Sequence, residues 1–523
     1  VLAALLALVP LCYATGGVLG VSPDSTQYLA TARSVLAGQG LSTIWWAGRP
    51  EPLTQFPPLY PLCIALVSAL GPESARAAWL LHALLVPTNV LLIAWCASRI
   101  AGGTSRQRGQ VASVAALAGA VSTIFATVHA MLWSEPLFTA MLLGTLALLA
   151  RSVECWHDGQ ERLAMRALVA AGILAGMATM TRYAGLALVG ASCLALVLLM
   201  PGDLVARARR AIVFAGIALT PFLAWALFNR SRGAAATDRS IVVHPISATD
   251  LIPGIGTVSR WLVPYMPWSA PRFIALACVV LALAVMARSF PRLSRTGLVD
   301  APRTRGVLRP STTLALVLAL FIICYAGFLI VAISFADRSI EFDDRLLYPA
   351  LPPAIALTVG VISWLYRAGS QVVRAAIVAL AFVYVASQIA GIRVWAAGIR
   401  QNGADLTAVV RAAPALLDRA RALPEGSRIY SNMPEAIYYG TGRIVRGVPR
   451  RFSPTSLRPN PTFVAELDAL ADSADRPTYV VFFDAGADRT FAATAPEVEA
   501  ALPLQHVDTL AGGRIVTLRP RRR

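Results

Sequence analysis

Long apolar runs dominate this chain. Stretches of roughly 20 mainly apolar residues, the length a helix needs to cross a bilayer, recur near residues 1 to 20, 75 to 98, 111 to 128, 134 to 151, 164 to 181, 184 to 200, 211 to 228, 271 to 288, 311 to 335, 346 to 366 and 372 to 391. They predict about eleven transmembrane helices. Between the first two runs, residues 21 to 74 hold two shorter patterns. Ser25 to Ala37 has the helical spacing of Tyr28, Leu29, Ala32, Val35 and Leu36 and stops at Gly38-Gln39-Gly40. Leu59 to Leu70 is apolar but too short to span, so it is expected to lie in the membrane interface.

After Ile392 the pattern changes and charge returns. Ala404 to Leu423 reads as an amphipathic helix, Arg428 to Tyr430 as a short strand and Thr478 to Phe483 as a buried strand. Val507 to Leu510 and Arg514 to Leu518 flank Gly512-Gly513 as a hairpin. The expected division is a transmembrane domain over 1–395 and a small extracytoplasmic α/β domain over 396–523.

Composition settles the class. The 523 residues are 57% hydrophobic and 14% charged, with mean hydropathy +0.63. That excludes a soluble multidomain protein and makes the chain a polytopic α-helical membrane protein. The net charge of +18 comes from arginine alone, since no lysine occurs. In a soluble protein it would suggest nucleic acid, but here the arginines collect in short loops between apolar runs, which is a topology signal. Arg99, Arg106 and Arg108 share one loop, Arg207, Arg209 and Arg210 a second, Arg288 to Arg309 a third, and Arg367 and Arg374 bracket a fourth. All four are cytoplasmic if the N-terminus is inside. Residues 21 to 74, His129 to Ser134, the turn at Arg182, Asn229 to Pro271, Ala336 to Arg345 and everything beyond about 392 then face outward. The first run could be a signal peptide, and only the family resemblance of the residues below implies a retained helix. The seven cysteines show no CxxC and lie mainly in apolar runs, so disulfides are not expected.

Several charged residues fall at the outward ends of these runs. Asp24, in Pro23-Asp24-Ser25-Thr26, reads locally as a helix cap with Ser22 or Ser25. Glu135, in Trp133-Ser134-Glu135-Pro136, reads as an ordinary helix start. Arg182, in Thr181-Arg182-Tyr183, sits so near the hydrocarbon edge that it needs an anionic partner or must snorkel to headgroups. Asp343, Asp344 and Arg345 read as solvated charges, and His129 as an interfacial residue. Yet the arginine topology, which used none of the candidate residues, puts them all on one side of the membrane. Their convergence points to a site.

These residues also carry a resemblance. The Asp after the first helix, the following Gly38-Gln39-Gly40 and Pro57-Pro58-Leu59-Tyr60-Pro61, the Ser134-Glu135-Pro136-Leu137-Phe138 start, the Gly176 to Gly185 stretch and Asp344-Arg345-Leu346-Leu347-Tyr348-Pro349 resemble the GT-C glycosyltransferases. More narrowly, they look like the branch of the protein mannosyltransferases and the lipid A aminoarabinose transferase. The resemblance covers roughly residues 1 to 395, and Tyr430-Ser431-Asn432 to Tyr438-Tyr439 looks like segments after the last helix of bacterial relatives. It implies a GT-C fold in a bacterial plasma membrane and transfer of a sugar from a polyprenyl-phosphate carrier to a lipid, glycan or protein acceptor outside. Asp24 would be the general base, with inversion at the anomeric carbon. A phosphate diester leaves without protonation, so no second carboxylic acid is required. Arg182 and Arg345 are the candidates for stabilising the phosphate, with Tyr183 and Tyr60 completing the expected substrate-binding set and Glu135, Asp343 and Asp344 as supporting acids. Many members of the family carry a second acid next to the first Asp. Here that place is Ser25, which puts adjacent-carboxylate mechanisms in doubt. No divalent metal site is expected, because no His or Cys cluster supports one.

Three alternatives accompany this expectation. A transporter or flippase for lipid-linked substrates would show internal repeats and mid-membrane charges, and neither is evident. An assembly protein would not need so many helices as an anchor. A transferase of whole oligosaccharides on the same fold is compatible with every motif above.

Overall fold

The computed structural model describes residues 1–234, 243, 247–264, 272–274, 276–277, 310–335, 342–453, 458–470 and 476–519. Among the described residues seven helices are long and apolar enough to cross a membrane: Ser74–Ala101, Glu135–His157, Glu161–Thr181, Leu204–Ser231, Ser311–Phe335, Asp344–Ala368 and Gln371–Asn402. Ser105–Ala120 and Thr123–Ala130 pass together as an eighth, bent by 59°. At the bend Ser122 caps the second piece, and the Gln388 side chain accepts from the Thr123 amide at 2.9 Å, so a side chain replaces the broken helical bond. The chain is an integral membrane protein.

Two of the expected spans are shorter than the pattern suggests. The first run forms Leu2–Leu6 and Leu8–Thr15, and the run near 184 to 200 forms only Gly185–Leu199. The run expected near 271 to 288 and the arginine-rich loop after it lie outside the described residues, apart from a few positions.

The segment 21 to 74 holds the helices Pro23–Leu36 and Leu59–Ser68. Between them lies a hairpin of β1 (Ser42–Ile44) and β2 (Pro50–Pro52) that the alternation of residues did not reveal. Its strands are only three residues each, too few to show a period. Beyond Asn402 a five-stranded sheet is built from β3 (Arg428–Ser431), β4 (Arg446–Gly447), β5 (Thr478–Phe483), β6 (Leu504–Leu510) and β7 (Gly513–Leu518), in the order β4-β3-β5-β7-β6. β3 runs parallel to β4 and β5, while β7 is antiparallel to β5 and β6. The expected helix from Ala404 to Leu423 is two helices, Leu406–Ala412 and Pro414–Arg421, because Pro414 forbids its predecessor a helical backbone.

The β1–β2 turn docks on this sheet. The Gly447 amide donates to the Trp46 carbonyl at 2.8 Å, and Trp46 Nε1 donates to the Val448 carbonyl at 2.9 Å. The indole lies flat enough on Gly447 that a Cβ there would meet its ring at 2.0 Å. Gly447→Ala should therefore expel Trp46 and cost about 1–3 kcal/mol, as overpacking does. Thermal melting and faster proteolysis near Arg49 would register this; an unchanged melt would show the contact contributes nothing.

Candidate functional site

Four charged side chains from four separate elements meet at one end of the helix bundle. The first is Asp24. Its helix begins with a complete capping box: Ser22 Oγ accepts from the Ser25 amide, and Ser25 Oγ accepts from the Ser22 amide. The serines thus satisfy the helix start and leave the Asp24 carboxylate free for tertiary contact. Its Oδ2 accepts from Arg345 Nη1 at 2.5 Å.

Arg345 lies in the short helix Asp344–Leu347, whose N-cap is Asp343, accepting from the Leu346 amide at 2.7 Å. Its Nε donates to Glu135 Oε1 at 2.6 Å, and its guanidinium lies over the Trp133 ring at 4.8 Å. Trp133 in turn donates through Nε1 to Ser22 Oγ at 2.9 Å, tying the Arg345 platform to the Asp24 helix cap.

Glu135 opens the helix Glu135–His157 and is fully buried. The same Oε1 also pairs with Arg182 Nη1, while Oε2 has no hydrogen-bond partner among the described residues. Arg182 occupies an extended position between two helices. The chain can reverse so tightly there because residue 185 is glycine: a Cβ would come 2.6 Å from the Thr179 nitrogen. Arg182 Nη1 also reaches Ser134 Oγ at 3.3 Å, and its Nε has no partner among the described residues.

The result is a chain of alternating charge, Asp24, Arg345, Glu135, Arg182, whose buried point is Glu135. Asp24 and Arg345 keep 24% and 21% of their side-chain surface exposed, whereas Glu135 keeps none, so the outer pair meets solvent and the inner acid holds the arginines in place. Buried charges persist only when paired in this way.

The overall arrangement of the chain has solved counterparts. It superposes on ArnT from Cupriavidus metallidurans, solved with undecaprenyl phosphate bound, with a TM-score of 0.57 at 14% identity over 99% of this chain and 97% of that one. The mycobacterial arabinofuranosyltransferase AftD follows with 0.51 at 17% identity, over 99% of this chain and 39% of AftD. The apo oligosaccharyltransferase of Archaeoglobus fulgidus gives 0.50 at 12% identity, over 98% and 73%. The chain has the GT-C fold. No family model matches the chain, and no curated protein sequence does.

Within this GT-C fold the other expected residues are placed differently. Asp343 is a helix cap, and Asp344 faces Arg260 at 3.5 Å. Tyr183 donates to the Thr54 carbonyl at 2.9 Å, fastening the loop before Leu59–Ser68. Tyr60 is fully buried under Tyr28, with ring centroids 5.0 Å apart, and its hydroxyl lies 2.8 Å from His82 Nε2. Burial pushes both the Tyr28 and Tyr60 hydroxyls up, well out of the range in which they ionise at neutral pH. His129, expected at the interface, is buried, with Nδ1 donating to the Phe125 carbonyl and Nε2 facing Asn89. Among the described residues no three His, Cys, Asp or Glu side chains form a metal-binding group.

Ser25 has a structural task besides the cap: its Oγ donates to the Leu132 carbonyl at 2.8 Å. A carboxylate in its place would set two acceptors face to face in a buried position. Ser25→Asp should lower stability by about 1–3 kcal/mol and add nothing to activity. A variant with wild-type melting and faster turnover would refute that.

Two groups were not foreseen. Trp133 stood in the quoted motif but read only as a neighbour of Ser134. Asp405, just past the last long helix, was overlooked although the rule that singled out Asp24, an acid where an apolar run ends, applies to it equally.

Proposed function

We propose that this chain is an inverting glycosyltransferase that moves a sugar from a polyprenyl-phosphate-linked donor to an acceptor hydroxyl at the extracytoplasmic face of a bacterial plasma membrane. The observation that carries the reading is the 2.5 Å contact between Asp24 and Arg345 at the partly exposed end of the charge chain. It sets a base and a phosphate-binding cation side by side. The donor phosphate takes the outer guanidinium edge of Arg345, which releases Asp24 Oδ2. The acceptor oxygen then bonds to the anomeric carbon as the bond from that carbon to the phosphate oxygen breaks. Asp24 receives the hydroxyl proton, and Arg345 stabilises the departing phosphate. Glu135 keeps its hold on Arg345 Nε throughout, so the cation turns without leaving. Arg182, whose Nε is unsatisfied, is the inner phosphate contact, with Tyr183 positioning the loop beside it.

The resemblance to ArnT, whose structure holds undecaprenyl phosphate, supports a lipid carrier as donor. The proposal includes a cytoplasmic N-terminus, about eleven spans on the count of apolar runs, and the division into a membrane part over 1–395 and an outer α/β part over 396–523. The size of the transferred group stays part of the test, since the fold also carries an oligosaccharyltransferase. The purified chain in nanodiscs should consume at least one member of a panel of labelled polyprenyl-phosphate monosaccharides or lipid-linked oligosaccharides. A protein that consumes none, yet moves a labelled lipid between leaflets, is a flippase.

A further inference from the structure

Asp405 has a left-handed backbone, φ +49°, and no other described non-glycine residue does. It stands directly before the helix Leu406–Ala412, where an aspartate ordinarily caps the free amides, yet its side chain makes no capping bond. Capping therefore does not explain a carboxylate there, and glycine would suit the backbone better.

Its position is imposed from the site. Val21 and Asp405 form a parallel backbone bridge, and the Leu406 amide donates to the Val21 carbonyl at 2.8 Å. Val21 leads into the helix that carries Asp24, so the bridge brings Asp405 to the start of that helix. Asp24 and Arg345 both act on it electrostatically, as do Glu435 and Arg489 behind it. Glu435 is buried; one carboxylate oxygen pairs with Arg489, and the other has no hydrogen-bond partner among the described residues. Asp405 itself reaches solvent, with its carboxylate partly buried among these groups. The carboxylates of Asp24, Glu135, Asp405 and Glu435 outnumber the guanidiniums of Arg182, Arg345 and Arg489, and the surplus sits at the solvent side.

We propose that Asp405 binds the acceptor: its carboxylate accepts a hydrogen bond from a second hydroxyl next to the attacking one, so that the site selects neutral polyhydroxylated acceptors over anionic ones. The inference rests on the transferase reading above. Partial burial, ahead of the charges of Arg489, Glu435, Asp24 and Arg345 that face it, pushes the Asp405 carboxyl up to about 6. Selection is therefore present above that pH and fades as pH falls through it, because the protonated group loses its charge-assisted bond.

The test supplies the full chain in nanodiscs with whichever donor it consumes, and with glycerol, 1-propanol or glycerol 3-phosphate at equal concentration. The partition of released sugar between alcohol and water is measured. The wild type should favour glycerol over 1-propanol roughly tenfold, as one hydrogen bond to a charged group provides, and should discriminate against glycerol 3-phosphate. Asp405→Asn and Asp405→Gly, the latter relieving the backbone, should lose that preference and admit glycerol 3-phosphate. A partition unchanged in both variants, or a wild type indifferent to the second hydroxyl, overturns the inference while leaving the transferase reading intact. A wild type that consumes no donor overturns the transferase reading, and this inference with it.

Discussion

Asp24→Asn should reduce sugar transfer by about 10²–10⁴-fold, the usual contribution of a general base, while the protein still folds and still binds donor. The amide keeps the shape of the carboxylate and a hydrogen-bond acceptor for Arg345 Nη1, so the capping box of Ser22 and Ser25 and the Trp133 platform remain. What disappears is a group able to take the acceptor proton. Donor binding, followed by retention of a labelled polyprenyl-phosphate sugar on the protein, should persist or tighten, since Arg345 no longer faces a competing carboxylate. Near-wild-type turnover would show that Asp24 is not the base. Loss of both binding and melting transition would show that it is chiefly structural.

Glu135→Ala is expected to have the largest effect on stability. Glu135 is fully buried, and one of its oxygens serves both Arg182 and Arg345. Removing it leaves two guanidiniums facing each other without their shared counterion, and breaking a buried pair from one side costs about 3–5 kcal/mol. Glu135→Gln, which keeps volume and one acceptor oxygen, should cost less but still impair transfer, because the positions of both arginines depend on the charge. Glu135→Leu combined with Arg182→Met should recover part of the lost stability, since an apolar pair avoids the desolvation penalty, and recover none of the activity. Thermal melting in detergent together with donor consumption separates the two effects. If Glu135→Ala melts like the wild type, the buried chain of charges does not hold the fold.

Much of the architecture was readable because its cause is local. A helix that spans lipid must be apolar over its own length, and among the described residues seven helices meet that test by length and composition alone. The same logic misjudged the ends. Run length does not reveal where a helix stops, so the first run broke into two short helices, and the Ala404 to Leu423 segment was cut by Pro414. The hairpin at Ser42 to Pro52 escaped because its three-residue strands are too short to show an alternation. Asp343 and Asp344 were grouped with Asp24 because the arginine topology put them on the same side of the membrane. A helical turn aims neighbouring side chains in different directions, and the two acids went to a cap and to Arg260.

The sequence by itself determined that this is an integral membrane protein and that Asp24, Glu135, Arg182 and Arg345 lie at the ends of apolar runs, for run length and the charges between runs are properties of one dimension. Only the tertiary structure decided which of those end charges meet. Arg345 bonds to Glu135 and Asp24 across 210 and 321 positions of chain, and no local pattern encodes such a pairing, because it depends on how distant helices pack. For the same reason Asp405 meets Val21 in a backbone bridge that nothing local to either residue foretells. Burial then turned four ordinary surface-type residues into one coupled group, since a charge excluded from water must find its partner inside the protein.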